Sequence, residues 1–220
     1  MKIVLDYFNK TKIYFENIDE QAEEYSKKLY REYRGNEDTD YSEVAEWVQE
    51  EGIEMYQSLL RMKSNHFLMT ISLLYHTWEQ QLIKFVIKEL SHKINFPKKA
   101  MQFSEVQSIF QLHGVSIIDT DAWKKIRELK QLTNTIKHGD GDSADKLRKL
   151  RPDFFKSVIS EFDDEFDTLE FNGAVLLDGN ILKVSEDDFV DYINATILFG
   201  GEMPERAFAD VDLVLEVLNK

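Results

Sequence analysis

A short polar sequence near the middle of the chain carries the residues best suited to chemistry. It reads Asn134-Thr135-Ile136-Lys137-His138, with Arg127 before it and Gly139-Asp140-Gly141 after it. On a helix turning by about 100° per residue, Arg127, Asn134 and His138 fall within about 40° of one another. A histidine can move a proton near neutral pH, and a neighbouring amide can orient a phosphate. This is the minimum equipment for metal-free RNA cleavage that uses the 2′-hydroxyl group.

The same residues also fit an ordinary helix terminus. Lys137 and His138 would interact favourably with the helix dipole at a C-terminus, and Gly139 is the expected residue for the cap. Residue spacing alone does not separate a reactive site from a helix end, so both interpretations stand at this point.

The surrounding pattern predicts the helix that positions these side chains. Asp119 or Thr120 can cap its N-terminus. Apolar residues at three-to-four spacing are expected to face inward, namely Trp123, Ile126, Leu129, Leu132 and Ile136. A loop at 140–143 and a short basic helix at 144–150 follow, and Pro152 stops that helix because the residue before proline avoids helical geometry.

This region is basic within an acidic protein. From 121 to 156 there are ten Lys or Arg residues against six acids, a balance of +4, whereas the whole chain carries −14. We interpret Arg127, Lys137, Arg148 and Arg151 as candidate ligands for the phosphates of a nucleic acid. The alternative is that this basic segment meets an acidic surface of the protein itself or of a partner.

The rest of the chain is predicted to be mainly α. A helical pattern runs from Val44 to Leu90, and one uninterrupted helix there would exceed about 70 Å, so we expect a break at Gly52 or at Ser64-Asn65. The residues at 174–184, with Asp178-Gly179 at their centre, predict a two-residue β-hairpin. A helix ending at Gly200-Gly201 and a last helix beginning at Pro204 are predicted to follow.

The predicted fold is therefore a helical bundle with a long central helix and a small C-terminal β-hairpin. Residues 1–165 would form the bundle, and residues 166–220 would form the hairpin and two helices packed on the same domain. The chain has no cysteine, no apolar run long enough for a membrane span and no secretory signal pattern, so we expect a cytoplasmic protein without membrane association.

The sequence lacks the familiar motifs of nucleotide-binding, hydrolytic and metal-binding sites. Phosphate-binding loops, nucleophile elbows, zinc-protease motifs and EF-hand loops are absent from the sequence. A di-iron bundle needs Glu-x-x-His on two helices, and the pattern occurs once, at Glu89 and His92. We therefore expect neither a metal ion nor a cofactor.

The segment from Arg127 to Phe155, with its Asn-x-x-Lys-His-Gly core, resembles the HEPN superfamily, over a likeness of about residues 60–155. The resemblance implies a helical bundle, a homodimer, and membership of a toxin-antitoxin or anti-phage defence system. Many such proteins are metal-independent ribonucleases with an arginine, a polar residue and a histidine at a two-fold interface. Carried across, the polar residue is Asn134 and the histidine is His138, whereas the arginine position falls on Thr133.

Threonine lacks the positive fork with which an arginine holds a phosphate. Arg127 lies about 16 Å along the helix from His138, so it can take that role only from a second, antiparallel copy.

Two functions follow from the resemblance. One is an RNA-associated protein, with or without endoribonuclease activity, and the basic segment favours it. The other is a catalytically inactive interaction or regulatory protein with a partner from the same operon, which the missing arginine and the acidic total favour.

Overall fold

The structure, a computed structural model, describes residues 1–95, 101–159, 164–172, 181–202 and 210–218. It is mainly α-helical. Short 3₁₀ turns at Lys12–Phe15, Ile117–Asp119 and Pro152–Phe154 join some of the longer elements. The longer elements in chain order are α1 (Lys2–Thr11), α2 (Ile18–Glu32), α3 (Tyr41–Leu90), α4 (Phe103–Leu112), α5 (Asp121–His138), α6 (Asp142–Leu150), β1 (Lys156–Ile159), β2 (Asp164–Asp167), α7 (Thr168–Asn172), α8 (Glu186–Glu202) and α9 (Val211–Leu218).

Helix α3 is continuous over 50 residues, so the predicted break is wrong at both positions. The side chain of Asp40 caps its start by accepting a hydrogen bond from the Ser42 N–H at 2.8 Å. Gly52 serves the packing of α2, because a Cβ atom at this position would collide with the Ser26 hydroxyl. Around Ser64-Asn65 the flanking Leu59 and Leu68 are buried, and tertiary packing outweighs the modest helix propensity of serine and asparagine.

The two halves of α3 pack differently. The first half lies against α2 and buries Val44 and Val48 there, apart from the main core. The second half supplies the centre of that core with Leu68, Ile71 and Leu74. The long helix therefore joins a two-helix arm, formed by α2 and the first half of α3, to the body of the protein.

Helix α5 crosses the body and contacts α3, α6 and α8. Ile126, Leu129 and Leu132 on its inner face are fully buried, as the three-to-four spacing predicted. Its opposite face is left toward solvent. This division fixes which of the polar residues of α5 are accessible.

The strand pair lies earlier in the chain than the sequence indicated. β1 and β2 are antiparallel, with Lys156 opposite Asp167 and Ile159 opposite Asp164. Most of the predicted hairpin, namely residues 174–180, falls outside the described residues. The described part, Ile181 to Val184, does not form a strand, and the Lys183 N–H instead donates to the Phe154 carbonyl oxygen at 2.9 Å.

The C-terminal helices complete the same core. Phe189 and Tyr192 of α8 and Val214 of α9 are buried in one cluster with α3 and α5. Helix α8 continues through Gly200-Gly201, where an end was predicted, as far as Glu202. The start of the last helix at Pro204 lies outside the described residues. Among the described helices, none has the length and apolar character needed to cross a bilayer.

Candidate nucleic-acid interface

The solvent side of α5 carries an unbroken polar stripe. We define the α5 stripe as Lys124, Arg127, Gln131, Asn134 and His138. These residues follow one another at steps of three and four, so they lie within about 80° of arc and extend about 21 Å along the helix. Lys124, Arg127 and His138 are exposed, and Gln131 and Asn134 are half-buried.

The stripe contains no acidic residue. The two acids of α5 lie elsewhere on the helix: Asp121 is in the first turn, and Glu128 is 8% exposed and faces the core. Lys137 is exposed in the last turn of α5, about 60° around the helix from Asn134. In the described part of the chain, neither Arg127 nor Lys137 makes an ion pair, so both charges are available to a ligand.

His138 ends the helix with its side chain in solvent. The cap is made by the backbone, because the Gly139 N–H donates to the Thr135 carbonyl oxygen at 2.9 Å. Gly139 has φ of 74°, in the region that favours glycine, which agrees with the predicted cap. Within the described ranges the imidazole has no hydrogen-bonding partner. The imidazole therefore forms no hydrogen bond with the backbone of its own helix, and it is accessible to another molecule.

Both ends of α5 are fixed by neighbouring elements. At the N-terminus the Glu202 carboxylate of α8 accepts hydrogen bonds from the backbone N–H groups of Asp121 and Ala122, at 3.1 and 3.2 Å. A carboxylate at this end is also favoured by the helix dipole. Thr120 occupies the cap position, as one of two predicted candidates, but makes no side-chain hydrogen bond there.

Thr133, at the position of the motif arginine, faces the core. It is 1% exposed, and its hydroxyl has no hydrogen-bond partner among the described residues. On the helix it lies about 100° from Asn134, away from the α5 stripe. An arginine at this position would carry its charge into an apolar interior. Thr133 therefore adds nothing to the solvent-exposed surface of α5.

Arg148 is engaged by three carboxylates of the protein. Its guanidinium contacts Asp140 at 2.7 Å, Asp145 at 2.9 Å and Asp167 at 2.7 Å, and it lies over the Phe155 ring. The hydrogen bonds that Arg148 donates to Asp167 and then to Asp140 raise its pKa above the ordinary value. This arginine holds α6 to β2 and the 139–141 loop.

Arg151 is the centre of a second network. It contacts Glu128 of α5 at 3.0 Å, Asp188 of α8 at 2.8 Å and Asp153 at 2.7 Å. Its guanidinium carbon also lies 3.8 Å from the centroid of the Phe154 ring, a cation–π geometry. Burial by itself would lower the pKa of Arg151, but the hydrogen bonds that Arg151 donates to the three carboxylates outweigh it and raise that pKa.

Glu128 is the shared acceptor of this network. Besides Arg151, it accepts hydrogen bonds from Lys125 at 2.9 Å and from the buried Tyr192 hydroxyl at 2.7 Å. Burial, followed by the negative charge of Glu128, raises the pKa of Tyr192 well above its ordinary value, so the phenol stays a donor. The network ties α5, α8 and the turn after α6 into one unit.

The structure thus divides the four predicted phosphate ligands into two pairs. Arg127 and Lys137 are exposed and carry free charges, whereas Arg148 and Arg151 are held by carboxylates of the protein. Two members of the stripe, Lys124 and Gln131, were not singled out from the sequence. The signal was present in the alternating three-and-four spacing of polar residues, which continues from the predicted site toward the helix start.

The described residues offer no cluster of three or more histidine and acidic side chains that could hold a metal ion. The sequence matches no protein-family model, and neither a curated protein nor a solved structure matches it at a significant level. The interpretation of the α5 stripe therefore depends on its own geometry and chemistry.

Proposed function

We propose that this protein binds RNA along the α5 stripe. The observation that carries the proposal is the free basic and amide surface of α5, which has no acid within it although the whole chain has a charge of −14. Positive charges attract the phosphates, and the amides of Gln131 and Asn134 can donate hydrogen bonds to phosphate, sugar or base oxygens. A stripe of about 21 Å can follow several nucleotides of a single strand.

Cleavage is the narrower form of the proposal. His138 would act as the general base on a 2′-hydroxyl group and Asn134 would orient the adjacent phosphate. A homodimer that presents Arg127 of one copy beside His138 of the other would supply the missing positive fork. The resemblance to the HEPN superfamily supports this form and the setting of a prokaryotic toxin or anti-phage defence system.

The burial of Thr133 favours the second candidate, a catalytically inactive HEPN-like interaction or regulatory protein. Without an arginine in the motif, the stripe would still bind RNA or would meet an acidic protein encoded in the same operon. We rank RNA association first because Arg127, Lys137 and Lys124 have no carboxylate partners in the described chain, so a phosphate chain can meet all three.

The test is the binding of a fluorescein-labelled single-stranded RNA, followed by anisotropy at about 50 mM salt, where phosphate contacts are strongest. Arg127→Gln and Lys137→Gln are each expected to weaken binding about five-fold. Lys28→Gln is the matched control, because it removes the same charge from an exposed position on α2. Equal affinities for all four proteins would contradict the proposal.

Cleavage is tested separately by expressing the wild type and His138→Ala in a bacterial host and measuring RNA integrity. The ribonuclease form predicts degraded RNA for the wild type and intact RNA for the variant. Intact RNA in both strains, together with the binding described above, would identify the non-catalytic form.

A further inference from the structure

A cavity of about 420 Å³ lies away from α5, between α1, the 3₁₀ turn after it, the middle of α3 and the segment that enters α8. Its deepest lining consists of Phe8, Leu68 and Leu182, all of which are buried. Its sides are formed by Phe15, His66 and Phe67, which are half-buried. A cavity of this size with ring-bearing walls is suited to a small planar ligand.

The histidine in this wall is held in one orientation. The Thr11 hydroxyl donates its only proton to the Tyr7 carbonyl oxygen at 2.8 Å, and it lies 2.8 Å from Nε2 of His66. The hydroxyl of Thr11 and Nε2 of His66 are therefore within hydrogen-bond distance, and this contact helps to fix the ring. The imidazole stacks on Phe8 with 16° between the ring planes. Burial lowers the pKa of His66 below its ordinary value, which favours the neutral form of the ring.

Four charged side chains surround the cavity, and two of them neutralise each other. Lys12 and Glu186 form an ion pair at 2.8 Å. Lys63 and Glu16 are both exposed, and across the described ranges neither has an ion-pair partner. The cavity therefore presents one free ammonium and one free carboxylate around an aromatic interior, with a total charge of zero.

We propose that this cavity binds a free aromatic amino acid. The ring of the ligand would lie against Phe15 and Phe67, its carboxylate would meet Lys63, and its ammonium would meet Glu16. An amino acid at neutral pH carries one charge of each sign, which matches the two unpaired groups. The proposal is independent of RNA binding, because it uses no residue of the α5 stripe.

A nucleotide fits the same cavity less well. Its phosphate would bring up to two negative charges beside Glu16 and Glu186, and only Lys63 remains unpaired to balance them. An aromatic carboxylate without an ammonium group would leave Glu16 without a partner, and an aromatic amine without a carboxylate would leave Lys63 without one. These differences allow the ligand class to be decided by comparing small molecules.

The experiment titrates the full chain with L-phenylalanine and follows binding by calorimetry and by chemical shifts of labelled protein. We expect saturation with a dissociation constant of about 1 mM or tighter. Two half-ligands serve as comparisons: phenethylamine lacks the carboxylate and 3-phenylpropionate lacks the ammonium. Each is expected to bind about five-fold more weakly than the amino acid.

The variants then identify the partner of each charge. Lys63→Gln should weaken L-phenylalanine about five-fold and leave phenethylamine unchanged, whereas Glu16→Gln should weaken L-phenylalanine and leave 3-phenylpropionate unchanged. Both substitutions are at exposed positions, so the fold is retained, and Lys137→Gln on α5 should change nothing. The proposal is overturned if L-phenylalanine does not saturate by about 10 mM, if the half-ligands bind as tightly, or if adenosine monophosphate binds more tightly.

Discussion

Replacing Arg151 by alanine should destabilise the protein through the loss of one network. The guanidinium joins Glu128 on α5 to Asp188 on α8, and it covers the Phe154 ring. The side chain of Arg151 is 19% exposed, and those of Glu128 and Asp188 are 11% and 15% exposed. Removal therefore leaves two carboxylates in a poorly solvated place without their main counter-charge.

The loss of unfolding free energy depends on the hydrogen-bond partners that each carboxylate retains in Arg151→Ala. Removing one partner of a buried ion pair costs about 3–5 kcal/mol. Glu128 retains Lys125 and Tyr192, and Asp188 retains hydrogen bonds from Ser185. We therefore expect the lower end, about 3 kcal/mol in the free energy of unfolding. This corresponds to a fall of about 6–12 °C in melting temperature for a chain of this size.

The assay is urea unfolding of the wild type and Arg151→Ala at pH 7, with Lys149→Ala as the matched control. Lys149 is exposed on α6 and makes no ion pair among the described residues, so its loss should change the free energy by less than about 0.5 kcal/mol. A difference below about 1 kcal/mol for Arg151→Ala would contradict this stabilising role of the guanidinium.

The stability difference between the wild type and Arg151→Ala should depend on pH. A hydrogen bond from Arg151 lowers the pKa of Asp153. Burial alone would raise the pKa of Asp188, but hydrogen bonds from Ser185 and Arg151 outweigh it and lower that pKa. The stabilisation by these pairs is present above the unfolded aspartate pKa of about 3.9 and is lost as the pH falls through the lower folded values. The difference between the wild type and Arg151→Ala should therefore shrink below about pH 4.

Three further substitutions test other parts of the account. Thr133→Val should raise the free energy of unfolding by about 1 kcal/mol, because it removes a buried hydroxyl that has no hydrogen-bond partner among the described residues; a loss of stability in urea unfolding would show that the hydroxyl is satisfied. Tyr192→Phe should lower it by about 1–2 kcal/mol through the lost hydrogen bond to Glu128, as measured in the same assay. Glu202→Ala should cost about 1 kcal/mol and speed amide exchange in the first turn of α5, and unchanged exchange there would contradict the capping role.

The helix that carries the site was predictable because its signals are local. The apolar spacing gave the buried face of α5, and Gly139 gave its end, and both agree with the structure. The exposure of Arg127 and His138 follows from the same periodicity. An amphipathic helix read from sequence thus identifies which polar residues can meet a ligand, before any tertiary contact is known.

The predictions that the structure did not match concern features that depend on contacts between residues distant in the sequence. Gly52 suggested a break in α3, but its place in the helix is set by the close approach of Ser26 from α2. Arg148 and Arg151 were candidate phosphate ligands, with an acidic surface of the protein itself as the alternative, and Asp167 and Asp188, from later elements, engage them. Helical periodicity contains no information about such partners, so a local count of charges overestimated the free positive surface.

The salt dependence of RNA binding decides whether phosphates meet the α5 stripe. The logarithm of the association constant for single-stranded RNA is measured against the logarithm of salt concentration, for the wild type and for a variant that combines Lys124→Gln, Arg127→Gln and Lys137→Gln. Three phosphate contacts predict a slope of about −2 for the wild type and a slope near zero for the variant. The same slope for both proteins would contradict binding along the α5 stripe.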